Sequence, residues 1–358
     1  MKLIELIQNS GENWKEVLEK EPYCFKIQEK GNLVLFLYNQ IKSDFSLSEV
    51  REARGVILEK DTWKVVARGF DKFFNIQEEY ADEIDWNTAL VQEKVDGSII
   101  KFFYYNNGWN IATNGTINAF EADLPLKGEV NNFGDLVVYA FMKYNFSSSV
   151  LDERCTYIFE VVSPYNRVVV PYTEIDIYHL GTRNNETGRE LNVDIGIPKP
   201  KTYNLTDKKS VMEMANTFDF HNEGFVVVDA ENRRVKVKSE DYVRVHRLRG
   251  EDIPTPKRLL ELHRTNEVSE FLSYFPEYQE QYDAFLEKYN AYANKLNELL
   301  NLYEENKDLE RKEFALKAKE TSCPSFLFGL LDNKWSNVEE YLEQQREKNL
   351  VKVLYEEK

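Results

Sequence analysis

The sequence predicts an α+β protein, with an antiparallel-sheet domain over residues 1–250 followed by an all-helical region, 251–358. Two observations carry this expectation. Between about residues 30 and 245, short β-branched and aromatic runs recur, separated by Gly, Asn, Asp and Pro. After residue 255 the spacing changes, and Tyr278, Tyr282, Phe285, Leu286, Tyr289, Leu296, Leu299 and Tyr303 recur along one helix face. A chain of 358 residues is long enough for two such units.

In chain order the predicted strands are NLVLFLYN (32–39), RGVILEK (54–60), WKVVARGF (63–70), ALVQEK (89–94) and SIIKFFYY (98–105). They continue with TYIFEVVS (156–163), NRVVVPY (166–172), IDIYHLGT (175–182), EGFVVVDA (223–230) and RRVKVKS (233–239). Turns are expected at NNG (106–108), NETG (185–188) and AEN (230–232). The stretch QEKVDGSII (92–100) has the Asp-Gly pair between apolar runs that marks a β-hairpin. Helical interruptions are expected near 134–145 and 207–217. The pattern is not a regular βαβ alternation. Beyond the long helix, a segment over 306–320, the stretch CPSFLFGLL and a last helix from about 335 to 355 complete the helical region.

Composition excludes several classes. A net charge of −16 argues against indiscriminate nucleic-acid binding. Yet residues 232–249 hold seven Lys or Arg against two acids, so basic charge is concentrated locally, as suits an anionic ligand with a defined seat. Cys24, Cys155 and Cys323 are far apart and the four histidines are scattered. That favours a reduced cytoplasmic protein and, for any metal, a hard cation held by oxygen. The first residues are too acidic for a signal peptide, and no apolar stretch is long enough to span a bilayer. The chain contains no phosphate-loop, dinucleotide, GxSxG or HExxH motif.

What remains is a series of charged residues inside strand-like sequence, where burial is costly without partners. Lys94, in KVDGS, reads either as a surface charge or as a nucleophile. Lys236 and Lys238 are two apart in a strand and share one face, so they form either a solvated edge or an anion-binding pair. Glu160 and Glu223 each interrupt strongly apolar sequence, and two such carboxylates suit a divalent cation and a sugar hydroxyl. Arg54 can grip phosphate in a fork, and the phenylalanines beside Lys72 can stack on a base or fill a core.

Taken in order, RGVIL, DKFFN, KVDGS, FEVVSPYNRVV, EGFVV and KVKS resemble the nucleotidyltransferase motifs of polynucleotide ligases. The resemblance is strongest to the bacteriophage RNA ligases that reseal broken tRNA anticodon loops, and it covers most of residues 30–245. It implies an ATP-dependent RNA ligase joining 5′-phosphate and 3′-hydroxyl ends of single-stranded RNA or nicked tRNA, acting as a cytoplasmic monomer with Mg²⁺ or Mn²⁺. In that reading Lys94 becomes covalently adenylated. Tyr38, Arg54, Lys72 and Phe74 contact the nucleotide, with Phe74 flanking the adenine. Glu160 holds metal and nucleotide, Glu223 acts near the ribose and metal, and Lys236 and Lys238 grip the α-phosphate. Tyr242 serves sealing, and Asp96 touches the water shell of the metal. Two departures stand out. Val95 follows Lys94 where the nearest relatives carry an acid, and IATNGT (111–116) matches its motif only loosely.

The resemblance also carries a physical expectation. A lysine amine must lose its proton to attack phosphorus, and the cations of Lys236, Lys238 and a metal would lower its pKa. The alternatives are a DNA ligase, an mRNA capping guanylyltransferase, or a non-catalytic nucleic-acid-binding protein with a decayed ligase fold.

Overall fold

In the computed structural model of the protein, residues 1–250 and 254–355 are described. They form two compact units, Met1–His246 and the segment from Arg247 onward. The first unit holds strands β1 (Lys26–Lys30), β2 (Leu33–Leu37), β3 (Arg54–Glu59), β4 (Val65–Ala67), β5 (Phe74–Asn75), β6 (Leu90–Glu93) and β7 (Ser98–Tyr105). It continues with β8 (Gly108–Thr113), β9 (Cys155–Val162), β10 (Asp176–Asn184), β11 (Glu190–Leu191), β12 (Thr202–Tyr203), β13 (Gly224–Val228) and β14 (Arg234–Lys238). Its helices are α1 (Lys2–Ser10), α2 (Trp14–Glu19), α3 (Ser48–Glu52), α4 (Phe133–Lys143) and α5 (Lys208–Ala215), and α6 (Glu240–Arg249) crosses the division between the units.

The strands form three sheets, ordered β1-β2-β3-β4, β11-β10-β9-β7-β8 and β12-β6-β13-β14-β5. Pairing is antiparallel except between β5 and β14. Alternation explains how each sheet is buried. On β9, Tyr157, Phe159 and Val161 enter the core under α4, which leaves Glu160 on the opposite face. On β14, Val235 and Val237 pack with Val91, Val211 and Phe225, which leaves Lys236 and Lys238 together on the other face.

Two predicted strand features differ. The Asp-Gly stretch is not a hairpin, because β6 and β7 belong to different sheets and residues 94–97 carry the chain across. The run NRVVVPY forms no strand, although Val169 and Val170 are buried. The amides of Val169 and Val170 both donate to the Asp96 carboxylate, at 2.8 Å each, so a side chain replaces the sheet partner.

The second unit is helical: α7 (Pro256–Arg264), α8 (Val268–Tyr274), α9 (Gln279–Asn306), α10 (Arg311–Lys319), α11 (Pro324–Leu331), α12 (Val338–Gln344) and α13 (Glu347–Tyr355). Phe285 and Leu296, from the predicted face of α9, join Leu260, Phe314, Phe326 and Leu350 in its core. The expected last helix is broken in two at Gln345, whose backbone is extended. No helix among the described residues is long and apolar enough to cross a membrane.

Candidate active site

The segment Lys94–Gly97 runs from β6 to β7 and is fastened at both ends. The Lys94 amide donates to the Gly224 carbonyl at 2.9 Å, and Gly224 pairs with Lys238 across β13 and β14. The Gly97 amide donates to Glu160 Oε1 at 3.2 Å. A side chain at 97 would strike the Val161 carbonyl and come within 2.8 Å of Val162 Cγ1, so only glycine lets the chain ride this close to β9.

This fastening brings three charged side chains together. Lys94 Nζ lies 2.7 Å from Glu223 Oε2, and Lys238 Nζ lies 2.8 Å from Glu223 Oε1. One buried carboxylate therefore bridges the two lysines. Burial works against the charge on Lys94, but the Glu223 and Glu160 carboxylates outweigh it and hold the ammonium above its ordinary range. Burial likewise disfavours the Glu223 anion, while Lys94 and Lys238 pull its pKa below normal. This pull opposes the lowering expected from Lys236, Lys238 and a metal. In this structure the direct partner of Lys94 is an anion, which favours the ammonium form.

Lys94 lines a cavity of about 290 Å³. Six basic side chains, Arg54, Lys72, Lys94, Arg234, Lys236 and Lys238, face two acids there, Glu93 and Glu160. Apolar walls come from Phe70, Phe73, Val95, Ile99, Leu180 and Val226. The Lys236 pKa is pushed down to about 7, first by burial and then by Lys72, Lys238, Lys94 and Arg54. Burial and Arg54 also hold Lys72 below its usual range, and its ammonium sits 4.9–5.4 Å from the ring centres of Tyr38, Phe45 and Phe74. Arg54 Nη1 is buried with no hydrogen-bond partner among the described residues. A buried donor without an acceptor, within a concentration of positive charge, fits an anionic ligand.

Of the sequence-predicted residues, Tyr38, Arg54, Lys72, Lys94, Glu160, Lys236 and Lys238 line this cavity. Glu223 acts from behind Lys94 and Lys238 and is not on the wall. Phe74 is also not on the wall. It pairs with Val235 and packs edge-on to Phe45 and Tyr80, while Phe73 faces the cavity with the Arg54 guanidinium 5.1 Å from its ring centre. Neighbouring extended residues point to opposite sides, so an aromatic partner for the base would be Phe73.

Asp96 and Tyr242, also expected at the site, lie off the cavity wall and are joined to each other. Asp96 is buried. Besides the two valine amides, it accepts a hydrogen bond from the Tyr242 hydroxyl at 2.7 Å. Its carboxylate is taken up by internal donors and is not on the cavity wall. Tyr242 is buried too, with Lys238 Nζ 5.1 Å from its ring centre. Its ring also stacks on His246, and it is not on the cavity wall.

Asp96, Glu160 and Glu223, the expected metal set, lie near enough that, after burial, neighbouring carboxylates of the set help to raise the pKa of Glu160 and of Asp96. Among the described residues no group of three or more His, Cys, Asp or Glu side chains is arranged to hold a metal ion. Glu160 is the remaining candidate, since it lines the cavity and its pKa is pushed up to about 7, chiefly by burial against the pull of Lys94. A single carboxylate is compatible with Mg²⁺, whose other ligands are commonly substrate phosphates and water. Arg234, Glu93 and Lys101 were missed in the sequence. Arg234 is held by Glu190 at 2.7 Å and lies 4.2 Å from the Phe70 ring centre, contacts made across other elements and invisible locally.

A sequence model of the family described as RNA ligase matches residues 52–253, more than half of the chain. The chain belongs to the RNA ligase family. This RNA ligase family member is 32% identical over 293 residues to a protein of Autographa californica nuclear polyhedrosis virus, named as a bifunctional polynucleotide kinase/RNA ligase. The match covers 76% of this chain and 41% of the viral protein, so the chain spans about two fifths of that relative. It is 27% identical to the RNA ligase of Rhodothermus phage RM378, over 74% of each chain. RNA ligase 1 of bacteriophage TS2126 is 26% identical, over 59% of this chain and 56% of that one. The family match contains Arg54, Lys72, Lys94, Glu160, Glu223, Lys236, Lys238 and Tyr242, whereas Tyr38 precedes it.

Proposed function

We propose that this chain is an ATP-dependent RNA ligase that joins 5′-phosphate and 3′-hydroxyl ends, with Lys94 as the nucleotide-carrying residue. The observation that carries the reading is the Lys94–Glu223–Lys238 bridge, whose two lysines line a six-cation cavity with an unpartnered Arg54 donor. Family membership supports it. Single-stranded RNA is the substrate class, and cleaved tRNA as the natural substrate rests on the motif resemblance.

In the first step the Lys94 amine attacks the α-phosphorus of ATP, the bond to the β-phosphate oxygen breaks and pyrophosphate leaves. The amine must first lose a proton, and the acceptor within hydrogen-bond reach is Glu223. At rest Glu223 is a poor base, because Lys94 and Lys238 both stabilise its anion. The phosphates of ATP compete for Lys238. Once Lys238 turns to them, burial raises the Glu223 pKa and the proton can move across the 2.7 Å contact. Lys238 is then both a phosphate contact and the control on the base.

Lys236, Lys72 and Arg54 receive the remaining phosphate charge, and Phe73 offers a flat apolar face for the base. Glu160 would anchor Mg²⁺ or Mn²⁺, which would neutralise phosphate charge. AMP next passes to the RNA 5′-phosphate, freeing the Lys94 amine. Finally the 3′-hydroxyl attacks that phosphate and expels AMP. Offering α-labelled ATP, α-labelled GTP and adenylate-labelled NAD in parallel tests the reading. Label should be retained on the protein from ATP alone and then pass to 5′-phosphorylated RNA. Retention from GTP or NAD instead would replace the assignment.

A further inference from the structure

Lys101 lies on β7, is 2% exposed, and takes no part in the steps above. A fully buried lysine is uncommon, and this one has no carboxylate within ion-pair distance among the described residues. Its Nζ donates to the Gly55 carbonyl. Its pKa is pushed down to about 7, by burial and then by Arg54.

Gly55 is where the β2–β3 ladder breaks. Phe36 pairs with Val56 and Leu37 with Arg54, so Gly55 is the extra residue of a β-bulge. Its φ is +70°, which favours glycine, and a side chain there would come within 2.7 Å of Lys101 Nζ and 2.8 Å of Asn114 Oδ1. The bulge takes the Gly55 carbonyl out of register with β2, and Lys101 satisfies that carbonyl where water does not reach. The residue immediately before the bulge is Arg54, whose side chain enters the cavity with a buried donor still unpartnered. Bulges beside binding sites commonly re-aim one side chain.

We infer that Lys101 is a positioning residue for ATP, acting through Arg54: it props the Gly55 bulge from behind and so aims the Arg54 guanidinium at the nucleotide phosphates. The inference rests on the reading of the cavity as an ATP site. Lys101 itself is buried beneath β3 and touches no substrate.

The test is a double-mutant cycle on the full chain, reading the dissociation constant of an ATP analogue with methylene between its α- and β-phosphates, which binds without group transfer. Lys101→Met should weaken binding about tenfold, the scale of one misdirected charge-assisted hydrogen bond. In an Arg54→Ala background the same change should cost less than about twofold, because the group it aims is gone. A tenfold loss in both backgrounds would show that Lys101 only stabilises the fold, and no loss in either would show that it does nothing for ATP; each overturns the inference. Should Lys101→Met fail to fold, Lys101→Gln, a neutral donor, is carried through the same cycle. Failure of the unsubstituted protein to bind the analogue would instead overturn the ATP reading of the cavity.

Discussion

Glu223 Oε2 lies 2.7 Å from Lys94 Nζ, and this ion pair keeps the proposed nucleophile charged until the site is filled. The Glu223 side chain is 3% exposed, and its second oxygen is taken by Lys238. Removing it strands two lysines against low-dielectric surroundings. Glu223→Ala should therefore lower folding stability by about 3 kcal/mol, read by urea denaturation. Glu223→Gln keeps the shape but loses the base, and adenylation should slow by about 10²-fold or more. A Gln variant that adenylates at the unsubstituted rate would remove Glu223 as the proton acceptor.

Glu160 links pH to stability. Its folded pKa of about 7 is raised from an ordinary 4.5, so the folded state favours the protonated acid. The stability it contributes is complete below pH 4.5 and is lost as pH rises through about 7. Glu160→Gln, which stays neutral, should match the unsubstituted protein at pH 4 and exceed it at pH 8 by up to about 3 kcal/mol. Denaturation curves at the two pH values measure this. Equal stability at pH 8 would mean that burial does not penalise the Glu160 anion.

Tyr242→Phe removes the hydroxyl donated to Asp96 and keeps the ring beside Lys238. One Asp96 oxygen loses its donor, so stability should fall by about 1–2 kcal/mol. Adenylation should slow several-fold and not disappear, because Tyr242 touches no substrate in this account. Complete loss of adduct in a folded Phe variant would move the hydroxyl into the chemistry.

Every residue lining the cavity lies between Tyr38 and Lys238. A protein ending after residue 250 should therefore still form the AMP adduct, while sealing of RNA falls if the helical unit selects RNA. Gel-based adduct and sealing assays separate the two. A folded truncation without adduct would show that the helical unit helps to build the nucleotide site.

Much of the site was legible because it follows strand periodicity. Lys236 and Lys238 had to share a face once Val235 and Val237 were core, and Glu160 had to oppose Phe159 and Val161. The rest depends on contacts between distant segments. Asp96 meets Val169, Val170 and Tyr242, residues 73 to 146 positions away, so its structural role leaves no local pattern. The choice between Phe73 and Phe74 turns on a strand of two residues, too short for periodicity to fix a face. Lys101 looks like any lysine of a half-exposed strand until β3 and its bulge are laid across it. The mistaken hairpin has a related cause: Asp-Gly favours a tight turn, but β6 pairs with β13 and β7 with β9, which outweigh it.

The most direct test of Lys94 as the adenylated residue is the intact mass of the purified protein after incubation with ATP and Mg²⁺, followed by peptide mapping. The account predicts a single added AMP, carried on Lys94 and absent from Lys94→Ala. No added mass in the unsubstituted protein, or the same added mass in the alanine variant, would contradict it.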